Sequence, residues 1–352
     1  MNRPIQPPGT TDDHGLICGY LFEPRPESVH ESLGLRARPV DTRQAAEWLD
    51  RADDDPTRPG FVWLHFNFTH NTAERWLTGR IAPASPFLEM LHSSGTSSTR
   101  VERSEQTLLA VINDVRFEFD FEPSDIATLW ISLDQRLMIT GRRQPLRSAD
   151  LLRMSVRDGE PVRSTAELMA HLLRHQIDVL SEVVRRITTR VDEVEDRFLA
   201  ERLNPKRSRL GALRRVLVRL QRLLVPEPAA LFRLLQHPPE WMQEVDVQEL
   251  REALEEFTVV LRDMVSLQER VKLLQEEVAA QVGEENNRSL FMLTIVTVMV
   301  LPINIISGLL GMNVGGVPLA SHPHGFLIVV AVVVSLTALL GLLIRHWRRE
   351  VD

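Results

Sequence analysis

The chain has 352 residues, with 41 Lys and Arg against 48 Asp and Glu and a formal net charge of −7. That balance excludes the basic footprint of a nucleic-acid-binding protein. A single cysteine, Cys18, excludes an intrachain disulfide framework and fits a reducing compartment.

The first 15 residues, MNRPIQPPGTTDDHG, are Pro-rich and polar, which predicts a disordered tail without the apolar core of a secretory signal. Residues 16–160 read as a small α/β domain. Within it, FVWLHFNF (Phe61–Phe68) alternates apolar and polar side chains as a half-buried strand does, and TAERWLTGR (Thr72–Arg80) is a short helix. TLLAVIND (Thr107–Asp114), IATLWISLD (Ile126–Asp134) and RLMITGRR (Arg136–Arg143) are β-rich, with turn formers between them. The acidic run Asp114, Glu118, Asp120, Glu122 and Asp125 reads as a solvated face, which in an oligomer adds to a cation-attracting potential.

Residues 161–288 read as a helical stalk. Ser164 with Glu167 three residues on is a capping box. From Val162 to Asn204 there is no Gly or Pro, and apolar residues recur at 169, 173, 177, 180, 184, 187, 191 and 194, which predicts one long amphipathic helix ended by Asn204-Pro205. A second helix spans about 207–225, with VPEP and HPPEW as punctuation after it. From Glu240 to Val282 there is again no Gly or Pro. Leu250, Phe257, Met264, Val271 and Val278 form one heptad row, and Leu254, Leu261, Gln268, Gln275 and Val282 the other. The rows predict a packing seam with polar layers at Gln268 and Gln275. Its partner is open at this point: the 162–204 helix of the same chain or another copy.

Residues 289–310 carry no charge, and at 1.5 Å per residue they reach roughly 33 Å, enough to cross a bilayer core. Residues 326–344 are also uncharged and rich in Val and Leu. Two membrane spans are predicted, joined by a loop over 311–325 and followed by a basic tail, 345–352. Arg345, Arg348 and Arg349 follow the second span and Arg288 precedes the first, whereas the loop has no Lys or Arg. The positive-inside rule then places both termini in the cytoplasm and the loop outside, in a cell (inner) membrane.

In the first span Asn287, Leu290, Thr294, Thr297, Leu301, Asn304 and Gly308 follow steps of three and four and share a helix face. A polar stripe in a membrane must face protein or water. Helix–helix glue is one use for it. Lining a pore is the other, and two spans of one chain cannot enclose a pore, whereas identical copies around an axis can. Pro302 removes a backbone donor beside Asn304, a local bend that membrane helices tolerate.

GLLGMNVGGVP (Gly308–Pro318) joins the two spans. GMN (Gly311, Met312, Asn313) directly after a first C-terminal span, behind a long heptad helix and an α/β domain, resembles the signature of the CorA family of divalent-cation transport proteins. The extension GMNVGGVP looks like its zinc-transporting ZntB branch. EPSDIATLWISLDQRLMITGRRQPL (Glu122–Leu146) resembles the stretch of ZntB-like proteins where strands precede the long helices, so that the likeness covers roughly residues 55–350. The resemblance implies an α+β membrane protein: a homopentameric funnel of cytoplasmic α/β domains and long helices, with five first spans lining a pore and the second spans outside. It places Asn287, Leu290, Leu293 or Thr294, Thr297, Leu301, Asn304, Gly308 and Asn313 towards the pore.

Each residue then has an expected role. Gly311 ends the span through a left-handed cap. Five Asn313 amides form a carbonyl ring at the outer mouth that attracts a hydrated cation. Leu290, Leu293 and Leu301 form apolar constrictions. The loop lacks carboxylates, and its titratable groups are His322 and His324, expected metal ligands beside Asn313; imidazole suits zinc better than magnesium. No Asp or Glu lies inside either span, so proton coupling, if present, falls to Glu284 and Glu285 at the inner mouth and to the loop histidines. The expected cargo is Zn2+, with Co2+, Ni2+, Cd2+ and Mg2+ as neighbours in chemistry, and no cofactor. No nucleotide loop, catalytic triad, HExxH or CxxC is present, so an enzyme is not expected. The alternatives are a magnesium or cobalt transporter of the CorA branch, and a membrane-tethered oligomeric regulator.

Overall fold

The first structural element follows from β-branched and aromatic runs bounded by Gly, Pro and Asp. In the computed structural model, which describes residues 14–24, 34–55, 58–80, 85–92, 99–116, 125–199, 207–312, 318 and 322–351, these runs become seven strands of one sheet. They are β1 (Leu16–Glu23), β2 (Arg36–Pro39), β3 (Phe61–Asn67), β4 (Arg100–Ser104), β5 (Thr107–Val115), β6 (Ile126–Leu133) and β7 (Leu137–Arg142). The order is β2-β1-β3-β7-β6-β5-β4, and only the β3–β7 pair is parallel. Asp134 makes the tight β6–β7 connection: its Oδ1 accepts from the backbone N–H groups of Arg136 (2.8 Å) and Leu137 (2.9 Å).

Helices cover both faces of the sheet. On one face lie α1 (Thr42–Asp54), α2 (Asn71–Arg80) and α3 (Ser85–His92), which bury Trp48, Leu77 and Phe87 against Val62, Leu64, Phe66 and Ile139. On the other lie α4 (Arg147–Arg157), the start of α5 (Thr165–Leu199), α7 (Pro226–Leu234) and the start of α8 (Glu244–Leu310). Their Leu152, Leu168, Leu172, Leu231 and Leu254 meet Phe61, Trp63, Ile131 and Met138. β3 is therefore buried on both sides, and the half-buried strand read from its alternation is corrected. The alternation separates two cores, with His65 as the polar member of one.

Ser164 caps α5 by accepting from the Glu167 N–H at 3.0 Å, but Glu167 returns the contact to the Arg163 N–H rather than to Ser164. Buried Met169, Leu173, Ile177, Leu180, Ile187 and Val191 follow the predicted stripe. Asn204-Pro205, its expected end, lies outside the described residues. α6 (Arg207–Leu224) matches its expected range, whereas VPEP does not merely punctuate: Pro226 stands at the start of α7, where its missing N–H costs nothing.

In α8 the first heptad row, Leu250, Phe257, Met264, Val271 and Val278, is buried throughout. The second row departs from expectation. Leu254 and Leu261 are buried, but Leu267 and Leu274 then take the places foreseen for Gln268 and Gln275, which are half-buried. The helix changes partner along its length, from the sheet-side core at Leu250 and Leu254 to α5 and α6 beyond. Arg270 bridges to Asp192 (2.8 Å) and Glu195 of α5, and Arg214 of α6 donates to Gln275 Oε1 at 3.2 Å. Helices of the same chain thus cover this seam.

The chain divides into two compact units, Met1–Gln275 and Glu276–Asp352. The second holds the end of α8, which runs through Gly283 and Pro302 without a break, and α9 (Gly325–Val351). α9 continues past residue 344, where the second span was expected to give way to a separate tail.

Candidate ion pathway

The end of α8 is hydrophobic enough to cross a membrane and almost bare, with none of its best 18-residue apolar window buried; α9 passes the same test with 6% buried. What little is covered lies on one face. Ile295, Met299, Pro302, Ile303, Ile306 and Leu310 are half-buried, and so are Val329, Val333, Thr337, Leu340 and Gly341 of α9. A Cβ placed on Gly341 would lie 3.4 Å from Met299 Cε, which marks the contact between the two helices.

Asn287, Leu290, Thr294, Thr297, Leu301, Asn304 and Gly308 are all exposed. At 3.6 residues per turn, their mean direction lies roughly 160° from the face that meets α9. The stripe is thus the part of the helix that its own chain leaves uncovered. Leu293 is exposed at the flank of this stripe, about 70° from its centre on the same helical wheel, whereas Thr294 lies within it. The Thr294 hydroxyl donates to the Leu290 carbonyl (2.8 Å) and Thr297 to Leu293 (2.9 Å). With their protons turned back to the helix, both oxygens present lone pairs outward, which suits a cation or the water around it. Pro302 has no N–H for the Val298 carbonyl, another acceptor without its helical donor.

Other expected site residues fall differently. Gly311 gives its N–H to the Ser307 carbonyl at 3.0 Å and does not adopt a positive φ, so the expected left-handed cap is corrected. A Cβ there would meet that same oxygen at 3.0 Å, so glycine is suited to this turn by close approach. Met312 is half exposed. Asn313 lies outside the described residues. His322 closes a turn just before α9, its Nδ1 accepting from the His324 N–H at 3.2 Å, and the two rings stand edge to face with centroids 6.3 Å apart. One nitrogen of His322 is therefore engaged locally, which leaves Nε2 for any ligand. Among the described residues no three His, Cys, Asp or Glu side chains are placed to hold a metal.

Glu284 and Glu285 are exposed but lie off the stripe, each more than about 100° from its centre. The heptad row Asn304, Thr297, Leu290, Gly283 continues instead to the exposed Glu276. The sequence reading stopped its count at Asn287 and missed this carboxylate; seven-residue counting upstream finds it.

The α/β unit carries its own buried polar groups. Asp114 accepts from the Ser148 hydroxyl (2.5 Å) and N–H (3.1 Å), capping α4, whose N-cap residue Leu146 has no side-chain acceptor. Asp114 and Asp125 are buried, so the solvated acidic face is corrected for them, while Glu118, Asp120 and Glu122 lie outside the described residues. Glu227 of α7 accepts from the Asn113 N–H (2.6 Å) and Gln176 Nε2 (3.0 Å), tying α7 to β5 and α5. Arg142 Nε donates to His65 Nε2 (3.2 Å), so the proton of His65 sits on Nδ1 and goes to Thr140 Oγ1 at 2.8 Å. Burial and the neighbouring guanidinium hold that imidazole well below its usual pKa, so it stays neutral. Each network joins elements of the fold.

A covered α/β unit followed by two bare apolar helices, one with a polar uncovered face, defines a membrane protein with a short C-terminal anchor region. Residues 59–346 match the family described as CorA-like Mg2+ transporter protein, and the chain belongs to that family. It is 29% identical over 317 residues to the divalent cation transporter CmaX of Pseudomonas aeruginosa, which covers 90% of this chain and 91% of that protein. It is 23% identical over 265 residues to the zinc transport protein ZntB of Yersinia enterocolitica, covering 75% and 80%. The solved structure of full-length CmaX superposes with a TM-score of 0.77 at 27% identity, covering 97% of this chain and all of that one. The CorA magnesium transporter of Methanocaldococcus jannaschii shares the fold, with a TM-score of 0.74 at 18% identity over 93% of this chain and 97% of that one.

Proposed function

We propose that the protein moves divalent metal cations, with zinc as the working substrate, through a homopentameric pore in the inner membrane. The observation that carries this reading is the polar stripe of α8 on the face opposite α9. A membrane anchor has no need of Asn287, Thr294, Thr297 and Asn304 on a face its own chain leaves bare; a ring of copies does. In that ring Leu290 and Leu301, flanked by Leu293, narrow the path and close it by dewetting. Gly308 leaves room above them, and Gly311, Met312 and Asn313 form the outer mouth, with the Asn313 amides receiving the hydrated ion. At the inner side Glu276, in register with the stripe, supplies the negative ring; Glu284 and Glu285 contribute field from off the axis.

Both termini and the α/β unit are cytoplasmic by the positive-inside rule, and the long helices form the funnel that leads to the pore. Zinc is favoured over magnesium because the loop has imidazoles and no carboxylate, and softer nitrogen ligands suit zinc whereas magnesium keeps oxygen and water. The similarity to ZntB supports the same ion, and the similarity to CmaX supports divalent cations in general. Transport, without catalysis, accounts for the polar groups of the stripe. Proton coupling is tested by the same assay: uptake of Zn2+, Co2+, Ni2+ and Cd2+ into proteoliposomes, with and without a pH gradient and with Mg2+ in large excess. Zinc uptake that persists under excess Mg2+ is the expected result. Displacement of zinc by Mg2+ at comparable concentration would place the protein with the magnesium transporters, and absence of any metal uptake would sink the pore.

A further inference from the structure

Two exposed faces of the α/β unit carry opposite charge around an apolar centre, and neither is neutralised by an ion pair among the described residues. The first is on α6, which holds six arginines and no acid in a chain of net charge −7. Arg214, Arg215 and Arg222 are exposed, Arg219 is half-exposed, and none of the four pairs with a carboxylate among the described residues. Arg214 donates to the neutral Gln275. Between them Val218 stands 42% exposed. The second is on α8, where Glu252, Glu255, Glu256 and Asp263 are exposed around Val259, itself 53% exposed. No lysine or arginine pairs with these four among the described residues; Arg262 flanks them, and Gln248 donates to Glu252.

The two patches match in size. Arg214 to Arg222 spans about 12 Å of helix and Glu252 to Asp263 about 16 Å, two to three turns each. A single exposed ion pair contributes little, but several around a desolvated apolar centre form a network. Symmetry supplies the remaining argument. A closed ring of more than two identical copies is built from two different, complementary patches on each copy. These are such a pair.

We propose that α6 of one copy docks on α8 of the next, Val218 against Val259, with the α6 arginines facing Glu252, Glu255, Glu256 and Asp263. The contact rests on the homo-oligomeric reading above and assigns it a surface. The test uses the full chain in mild detergent. On a Cys18→Ala background, which removes the one native cysteine, the double variant Val218→Cys/Val259→Cys under mild oxidation gives a ladder of covalent oligomers on denaturing gels. Each single variant supplies half of the pair and stays monomeric there. With Cys18 intact, Arg214→Glu/Arg215→Glu/Arg222→Glu converts the oligomer to monomer by native mass, and adding Glu252→Arg/Glu255→Arg/Asp263→Arg restores it. An oligomer that survives the triple reversal, single variants that crosslink as well as the pair, or a pair that gives no ladder while native mass reports an oligomer, overturns the contact. A wild-type chain that is monomeric by native mass overturns the oligomeric reading itself, and the contact with it.

Discussion

Glu227→Gln will remove most of the stability loss that the α/β unit undergoes between acid and alkaline pH. The Glu227 carboxyl is fully buried, and burial pushes its pKa up to about 8 from the usual 4.5, with the donated N–H groups of Asn113 and Gln176 pulling the other way. A folded pKa above the unfolded one means that folding takes up a proton between the two values. The contribution is fully present below pH 4.5 and is lost as pH rises through 8. At about 1.4 kcal/mol per pKa unit, keeping this carboxyl buried costs the fold about 3 kcal/mol at pH 7, where folding must take up a proton, and about 5 kcal/mol at pH 9, where the buried group ionises, relative to acid pH. The substituted amide carries no such cost. Its oxygen still accepts the Asn113 N–H, while its N–H2 replaces the oxygen that accepted from Gln176 Nε2, so the Gln176 amide must flip to offer its unpartnered Oε1; that rearrangement costs the same at every pH and leaves the slope unaffected. Thermal unfolding of both full-length proteins at pH 5, 7 and 9 reads the difference directly. At roughly 2–4 °C per kcal/mol, the variant's Tm relative to wild type should climb by about 10 °C from pH 5 to pH 9. Asp114, raised by burial to about 6, adds a slope of the same sign below that pH in both proteins, so it largely cancels in the comparison. Parallel Tm curves across this range would refute the buried-carboxylate argument.

Cysteines placed at Thr294, Thr297 and Asn304 on a Cys18-free background should react with small hydrophilic thiol reagents, while those at Val296 and Val300 should not; equal labelling of both sets would remove the water-filled stripe. Asn313→Ala should abolish or strongly reduce metal uptake in proteoliposomes while native mass stays that of the assembled protein, and wild-type rates in the variant would end its role at the mouth. Gly141→Ala should lower stability by about 1–3 kcal/mol through overpacking, because the added Cβ would lie 1.9 Å from Phe68 Cε2, a ring already packed edge-on to Phe87 and Trp130. A Tm within a degree of wild type would show that the ring can move aside.

Much of this protein was legible in the sequence because the relevant signals are local. Two uncharged runs of span length, the three–four spacing of Asn287 to Gly308 and the Gly- and Pro-free stretch that became α8 follow from helix geometry alone, which repeats every few residues regardless of partners. β5, β6 and β7 appeared near their predicted bounds because β-rich runs bounded by turn formers are equally local signals. Tertiary structure decided everything that depends on what lies opposite. β3 is buried on two sides because helices cover both faces of the sheet, and no alternation within eight residues reveals a second layer. Leu267 and Leu274 displaced Gln268 and Gln275 from the α8 seam because α8 exchanges the sheet for α5 and α6 midway, and a heptad count assumes one constant partner. Asp114, which looks like one acid of a solvated run, is drawn inside to cap α4 some thirty residues later. The periodicity located the polar face of α8. Which face α9 covers was settled by the packing of Met299 against Gly341, a contact between residues 42 positions apart that no local pattern encodes.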